Sequence, residues 1–462
     1  MVSVGVLGGG IAGLTAALRL HDEGVDVTVL EATPRTGGMI RSEQSAGYLV
    51  EHGPNTLQSS TPLLETLIGR LDLAADCVAA LPTAKKRFVV RDGAPRALPM
   101  APADLLTSSI LSLPGKLRLL KEPFVRARSG SRDESVADFV RRRLGPEVLQ
   151  YGVNPFVGGI YAGDPERLSV RHTFERLVEL EREHGSLLRG LIAGRRSADR
   201  TSSENPKRKM FSFREGLQQL PDALATVLGD AVEREKTVTA LHRDGTAWHV
   251  ETRAAEGSTE THVFDGVIST LPLHQLSSLN TDLALDVVPL TSVADPPVSV
   301  VALGFRREDV SHPLDGFGML VPEVESNFQI LGTLFPSSIF TGRAPDGHVL
   351  LATFVGGTRH PELGNAETDA LLPVVKRDLN RLLGARGQPA FVQHIRWPRA
   401  IPQYTLGYGQ VKARMDAIEA QHPRLALAGN YRDGVSVGDT MDSGDRAAQR
   451  LVEALQAKPQ AV

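Results

Sequence analysis

Gly8, Gly10 and Gly13, then Glu31, then Arg35 ahead of Gly37-Gly38 have the residue types and spacing to hold a pyrophosphate and a ribose. In a Gly-x-Gly-x-x-Gly turn the first glycine permits the tight bend and the second lets a phosphate approach the backbone. The third lets the following helix pack close to its strand. The N–H groups of Ile11 and Ala12 would then be among the unpaired donors at a helix N-terminus, where the dipole favours an anion. Glu31, followed by Ala32, can accept hydrogen bonds from ribose hydroxyls and would repel a 2′-phosphate, which disfavours NADP. The continuation Glu31-x-x-x-Arg35-x-Gly37-Gly38 adds a second close backbone approach with a cation, suited to the longer, enclosed pyrophosphate of a flavin dinucleotide.

The elements needed to position these residues are legible around them. The apolar run Val4 to Leu7 predicts a buried parallel strand, Ile11 to Glu23 the following helix, and Asp26 to Leu30 a second strand that ends on the acid. Leu63, Leu64, Leu67, Ile68 and Leu71 follow Ser60 and Thr61 as candidate caps and predict an amphipathic helix. From Leu98 to Arg128 the pattern is helical, cut into short pieces by Pro99, Pro102, Pro114 and Pro123. Its piece Leu113 to Arg128 sets Leu117, Leu120 and Phe124 at helical spacing among Lys116, Arg118, Lys121, Arg126 and Arg128. Such a basic amphipathic helix either lies on an anionic membrane or turns its apolar face to its own core.

Helical patterns continue over Ser135 to Leu144 and His172 to Leu191, and the polar run Arg195 to Lys209 reads as a surface loop. Strand patterns follow at Thr237 to Leu241, Trp248 to Thr252, Gly266 to Leu271, Val298 to Phe305, Phe317 to Val321 and Val349 to Val355. Near the end an apolar run, Leu425 to Ala428, leads through Gly429-Asn430 and Gly434-Val435 to a helix expected from about Thr440. The N-terminus of that helix, after Gly438-Asp439, could form another cofactor contact.

The 462 residues can bury a large core, and 51 basic against 54 acidic residues leave no global field for nucleic acid. The basic loop 195–209 has no interleaved aromatic, so no nucleic-acid partner is expected. The single cysteine, Cys77, excludes an intrachain disulfide, fits a reducing compartment and is expected to pack as a small buried hydrophobe. No signal-peptide pattern and no apolar run long enough to span a membrane are read. Neither a hydrolytic triad, a carboxylate pair nor a metal-ligand constellation is legible.

With Glu51-His52-Gly53-Pro54-Asn55, Gly159-Ile160-Tyr161-Ala162-Gly163-Asp164, Gly316 to Pro322, Ile401-Pro402-Gln403-Tyr404 and Gly429-Asn430 in this order, the chain resembles the protoporphyrinogen oxidase and coproporphyrinogen III oxidase family. That family belongs to the flavin-containing amine oxidase superfamily, and the resemblance spans residues 3 to 455. It implies an α/β (α+β) fold in three parts. A Rossmann-like FAD domain would take 1–80, 210–290 and 395–462. A substrate domain around a mixed sheet would take 81–97 and 291–394, and a helical, membrane-facing domain 98–209.

The resemblance also assigns roles. Gly8, Gly10, Ile11, Ala12, Gly13, Glu31, Ala32, Arg35, Gly37, Gly38 and Ser42 match FAD positions. Gly53, Pro54 and Asn55, the backbone of Val238, Trp397, and the return segment with Gly429, Asn430, Gly434, Val435, Gly438 and Asp439 also match cofactor contacts. Arg87 matches a propionate partner, Gly159 a backbone position near the reacting meso carbon, and Leu320 and Phe354 the residues sandwiching the macrocycle. Asn55 stands where some relatives carry an arginine, which puts a second propionate contact there in doubt.

The implied reaction removes six electrons from a porphyrinogen in three hydride-transfer rounds, with dioxygen as acceptor and hydrogen peroxide released. Protoporphyrinogen IX is favoured over coproporphyrinogen III, because two further carboxylates would need more cations than the one, Arg87, that sequence can propose. More distant alternatives are another amine-oxidase-type flavoenzyme or a non-catalytic flavin-binding assembly protein. Flavin is expected to be non-covalent, since Cys77 is far from the C-terminal third. The expected location is cytoplasmic, against the inner face of the cell membrane, with a second copy of the chain or a ferrochelatase-type enzyme as partner.

Overall fold

The computed structural model describes the chain except at residues 60, 100–103, 105–107, 129, 131, 194–208, 282–287 and 457–462. Ser60, Pro102 and nearly all of the basic loop therefore lie outside the described residues.

Alternating β-branched residues at Ser3–Leu7 and Asp26–Leu30 form adjacent parallel strands, and Val4 and Val6 are fully buried. The five-stranded parallel sheet runs in the order Val232–Glu233, Asp26–Leu30, Ser3–Leu7, Gly266–Ser269, Leu425–Leu427, so it is assembled from four distant parts of the chain. The helix Ile11–Asp22 is apolar on nearly every side and is accordingly buried from Ile11 to Leu18. It packs against the last helix so closely that a Cβ on Gly444 would stand 2.1 Å from the Ala12 carbonyl oxygen.

The second sheet is mixed and seven-stranded, in the order Phe391–Trp397, Val298–Arg306, His348–Gly356, Ile330–Leu334, Gly318–Leu320, Phe88–Arg91, Ala94–Ala97. One face packs Leu303, Phe305, Leu351 and Val355 against Leu371, Val375 and Leu379 of the helix Thr368–Leu383. The opposite face carries Val300, Ala302, Leu350, Phe354, Ile395 and Trp397, with Tyr48 and Val50 packed on part of it.

Several sequence expectations are corrected. The last helix is Val437–Gln456, so Gly438 and Asp439 lie inside its first turn rather than before it. Ser436 caps it, accepting from Asp439 N (3.1 Å) and donating to Asp439 Oδ2 (2.6 Å). The helix expected over Leu113 to Arg128 stops at Leu120, and a short 3-10 turn, Glu122–Phe124, replaces its continuation at Pro123. His172 to Leu191 is interrupted at Gly185, whose left-handed conformation ends the helix Glu175–His184. Cys77 is half-buried on the short strand Cys77–Ala79 rather than enclosed. Finally, Phe391–Trp397 is one strand of the seven-stranded sheet and runs through the expected domain boundary at 394/395.

The helix Leu113–Leu120 faces opposite to an ordinary surface helix. Its polar side docks: Arg118 donates to the carbonyls of Arg142 (2.6 Å) and Arg143 (3.2 Å), and the Ser112 N–H donates to Glu147 (2.9 Å). Its apolar side points out, leaving Leu113, Leu117, Leu120 and Phe124 exposed by 71%, 53%, 59% and 84%. The core-facing alternative fails for these four residues.

Candidate active site

The glycine turn sits where the parallel strands end. Gly8 bends at φ +103° with its N–H on the Leu30 carbonyl (2.9 Å), and a Cβ on Gly13 would lie 2.0 Å from Gly8 O, so the helix does pack tightly on its turn. The second turn meets the first: Gly37 N donates to Gly9 O (2.8 Å), and a Cβ on Gly38 would stand 3.3 Å from the Gly10 Cα. Two glycine backbones thus face each other at a helix N-terminus, a cradle that any side chain would fill and that suits an anion.

Glu31 is 8% exposed, with Oε2 accepting from Gly9 N (2.8 Å) and Oε1 from Thr33 N (2.9 Å) and Thr33 Oγ1 (2.8 Å). A carboxylate offers about four acceptor sites, so one stays open towards a ribose hydroxyl. Lys236 N on Glu31 O (2.8 Å) sets the strand Lys236–Asp244 beside the acid, two residues before Val238. Arg35 donates to the carbonyls of Thr36 (3.2 Å), Gly38 (2.6 Å) and Ile40 (3.0 Å), so its guanidinium shapes the second turn.

The C-terminal return reaches the same edge. Ala428 N donates to Ser269 O (3.0 Å), and Thr270 Oγ1 donates to Leu7 O (2.9 Å), joining three strand ends. Gly429 N bonds Ser443 Oγ (3.1 Å), and Val435 packs against the core beneath. Gly434 sits at φ +141°, where a Cβ would meet Asp439 at 2.6 Å. The separated motifs are then tied together: Gln403 donates to Tyr161 O (2.8 Å), and Tyr404 donates to the Asn430 carbonyl.

The expected macrocycle residues share one sheet face. Leu320 and Phe354 are both registered to Gly332 on the strand between them, so their side chains emerge on the same side. Gly159, on the helix Asn154–Ile160, packs on Leu320 so closely that a Cβ would lie 2.3 Å from Leu320 Cδ2. Trp397 packs with Phe354 and donates its indole N–H to His52 O (2.8 Å), which fixes Gly53 and Pro54 beside it. Arg87 stands two residues before Val89, the partner of Leu320, and its guanidinium lies 5.2 Å from the Phe317 ring centroid. Asn55 donates to Gly53 O (3.0 Å) and lines a small cavity with Glu51, Arg343 and, from the sheet, Leu350 and Ala352.

Sequence reasoning missed that cavity and its acid. Glu51 Oε1 accepts from Leu217 N (2.9 Å) and Oε2 from Ser42 Oγ (2.5 Å), while Ser42 accepts from Gln218 N (3.0 Å). Ser42 therefore clips the loop rather than reaching into the cradle. Burial pushes the Glu51 carboxyl up to about 7, against the opposing pull of Ser42, Leu217 N–H and Arg343. The folded chain keeps a proton that the unfolded chain releases near 4.5, so stability falls as pH rises between those values, by about 3 kcal/mol in all. Glu51→Gln is therefore expected to raise stability by about 2 kcal/mol at pH 8 and to leave it unchanged near pH 4. Thermal melts at both pH values check this; equal loss at both would contradict it.

A second cluster the sequence does not reveal brings Glu233, Glu260 and His262 ligand atoms within 4.8 Å of one another. Lys236 Nζ already pairs with Glu260, and His262 Nε2 lies 3.1 Å from Thr252 Oγ1, so the acids are balanced by a cation of the chain itself.

Comparison with known proteins agrees in extent. The family model described as flavin containing amine oxidoreductase matches residues 11–452. Protoporphyrinogen oxidase 2 of Arabidopsis thaliana is 37% identical, covering 98% of this chain and 94% of its own. Coproporphyrinogen III oxidase of Staphylococcus aureus is 29% identical over 98% and 99%. A crystal structure from Exiguobacterium sp. 255-15 superposes with a TM-score of 0.83 at 24% identity, covering 99% of each chain, which shows the fold.

Proposed function

The chain belongs to the flavin-containing amine oxidoreductase family, and from that premise we propose that it oxidises a porphyrinogen to a porphyrin in haem synthesis, with FAD held non-covalently. The observation that carries the reading is the contact of Gly159 with Leu320 on a sheet face shared with Phe354 and Trp397, which Trp397 links through His52 O and Gly53 to Met39, the residue after the second glycine turn.

The chemistry that FAD supplies when bound is acceptance of a hydride and return of the electrons to dioxygen, so six electrons leave the macrocycle in three rounds with hydrogen peroxide released. The chain's part is to bind, orient and exclude water. Gly8 to Gly13 and Gly37-Gly38 hold the pyrophosphate and Glu31 the ribose. Val238 and the Gly429 to Asp439 segment hold the remaining backbone contacts, and Trp397 bounds the site with Gly53. Leu320 and Phe354 present an apolar surface to a flat ring, Gly159 seats Leu320 in the space its missing side chain leaves and offers its backbone near the reacting carbon, and Arg87 takes a propionate by charge-assisted hydrogen bonding.

Protoporphyrinogen IX is the preferred substrate in this reading, supported by the greater identity to the protoporphyrinogen oxidase of Arabidopsis thaliana than to the coproporphyrinogen III oxidase of Staphylococcus aureus. The domain division proposed is 1–80, 210–290 and 398–462 for the cofactor, 81–97 and 291–397 for the substrate sheet, and 98–209 for the helical part. Aerobic incubation of the flavin-loaded protein with protoporphyrinogen IX is expected to produce porphyrin fluorescence well above the spontaneous rate. No excess over a blank would overturn the reading.

We also propose that the helical part rests on an anionic membrane surface through Leu113, Leu117, Leu120 and Phe124, with Lys116 and Lys121 among them. Among the described residues no helix is long and apolar enough to cross a membrane. Leu117→Ser with Phe124→Ser is expected to cut co-sedimentation with phosphatidylglycerol vesicles severalfold without moving the thermal midpoint. Unchanged sedimentation would exclude this face.

A further inference from the structure

Arg359 follows the strand of Phe354 and folds back over the Gly159 helix. Thr358 N donates to Ala162 O (2.8 Å), and Arg359 Nη1 donates to Val321 O (2.9 Å), the carbonyl next to Leu320. Its Nη2 lies 3.5 Å from Asn154 Oδ1 and would stand 3.4 Å from a Cβ built on Gly158. The guanidinium thus sits where the Leu320 strand meets the helix that carries Gly159.

Among the described residues it has no carboxylate partner. The nearest acid, Glu323, is held by Asn154, accepting from Asn154 Nδ2 at 3.1 Å while its own N–H donates to Asn154 Oδ1 at 2.9 Å. Burial holds the Arg359 guanidinium below its ordinary range, with Glu323 opposing. Burying an unpaired charge is costly, and the bonds to Val321 and Asn154 use only part of its five-donor fork. A structural brace for Val321 would need only one donor. Arg87 lies on the other side of Leu320, half-exposed, with Phe317 beside it, its Nη1 3.4 Å from Lys85 O and no ion pair among the described residues.

We propose that Arg359 is a second carboxylate-binding group of the porphyrinogen site, taking one propionate while Arg87 takes the other. The proposal rests on the porphyrinogen reading and deepens it. Two forks match two propionates, whereas a tetracarboxylate would leave two charges without cations at this rim, so the pair acts as a selector for a dicarboxylic macrocycle.

The test is fluorescence titration of the flavin-loaded protein with protoporphyrin IX and with its dimethyl ester, for wild type, Arg359→Gln and Arg359→Lys. Arg359→Gln is expected to bind the diacid about tenfold more weakly and the ester unchanged. Arg359→Lys, which keeps the charge and most of the volume, should lose about threefold on the diacid alone. If Arg359→Gln does not fold, the lysine variant decides by the same comparison. Equal loss on diacid and ester assigns Arg359 to packing and overturns the proposal, as does no loss on either. Wild-type protein that binds neither porphyrin would overturn the porphyrinogen reading, and this proposal with it.

Discussion

A Gly13→Ala variant is expected to purify without bound flavin and to unfold well below the wild type, whereas Gly10→Ala should lose flavin yet fold normally. At Gly13 the added Cβ would stand 2.0 Å from Gly8 O and 3.0 Å from Thr270 Oγ1. Neither can give way, because Gly8 N is bonded to Leu30 O and Thr270 Oγ1 to Leu7 O and Gly8 O. The helix cannot retreat either, since Gly444 presses on Ala12 from the far side. Overpacking of this kind costs about 3 kcal/mol or more and displaces the turn. At Gly10 the backbone has φ −73°, which alanine adopts, and the nearest atom to a Cβ is Gly38 Cα at 3.9 Å. There the methyl group fills only the space between the two turns. Flavin-to-protein absorbance ratios and thermal unfolding of the apoproteins separate the two cases. Full flavin content in Gly10→Ala would contradict the cradle.

Glu122→Ala is expected to cost about 3 kcal/mol, because it takes from a buried cation the closer of its two carboxylates and leaves Glu181 Oε1 at 3.4 Å from Arg143 Nη1. Glu122 and Arg143 are both 0% exposed, and Arg143 pairs with Glu122 while donating to Val125 O (2.8 Å) and Gly185 O (2.9 Å). The Glu122 carboxylate also accepts from Ser186 Oγ (2.6 Å), Leu187 N (2.9 Å) and Leu188 N (3.1 Å). Burial alone would raise its pKa, but these donors and Arg143 carry it below the ordinary carboxylate range. Its contribution is therefore present above that ordinary value and lost as pH falls through the lowered one. The pair joins the 3-10 turn after the amphipathic helix to two other helices, so its loss should also weaken vesicle binding. Replacing both partners, Glu122→Leu with Arg143→Met, should recover most of the stability. Denaturant midpoints of the single and double variants check this; an additive double loss would contradict it.

The first turn, its helix and Glu31 were readable because their chemistry is local: glycine positions, an apolar run and a terminal acid within about thirty residues. Thr61 was readable as a cap for the same reason, and it accepts from Leu64 N (3.4 Å). The start of the last helix was misjudged because Gly438 looks like a breaker, whereas the bond from Asp439 N to Ser436 Oγ sets the start at Val437. The helix after Leu113 was drawn too long because its spacing continues past Pro123, where the missing N–H ends it. Asn55 and Ser42 were placed by motif, yet their side chains serve the loop that carries them. Arg359, Arg343 and the Glu122–Arg143 pair were not legible, because their partners lie far along the chain or across two sheets. Periodicity carries no signal for such pairs.

Electrons are expected to pass from a porphyrinogen to a flavin whose pyrophosphate lies between Gly10 and Gly38. The decisive experiment is anaerobic mixing of the flavin-loaded protein with a limiting amount of protoporphyrinogen IX. Loss of the visible flavin band is expected, with about three equivalents of flavin reduced for each protoporphyrin formed, since six electrons leave two at a time. A flavin band that stays unchanged while protoporphyrinogen persists would contradict it.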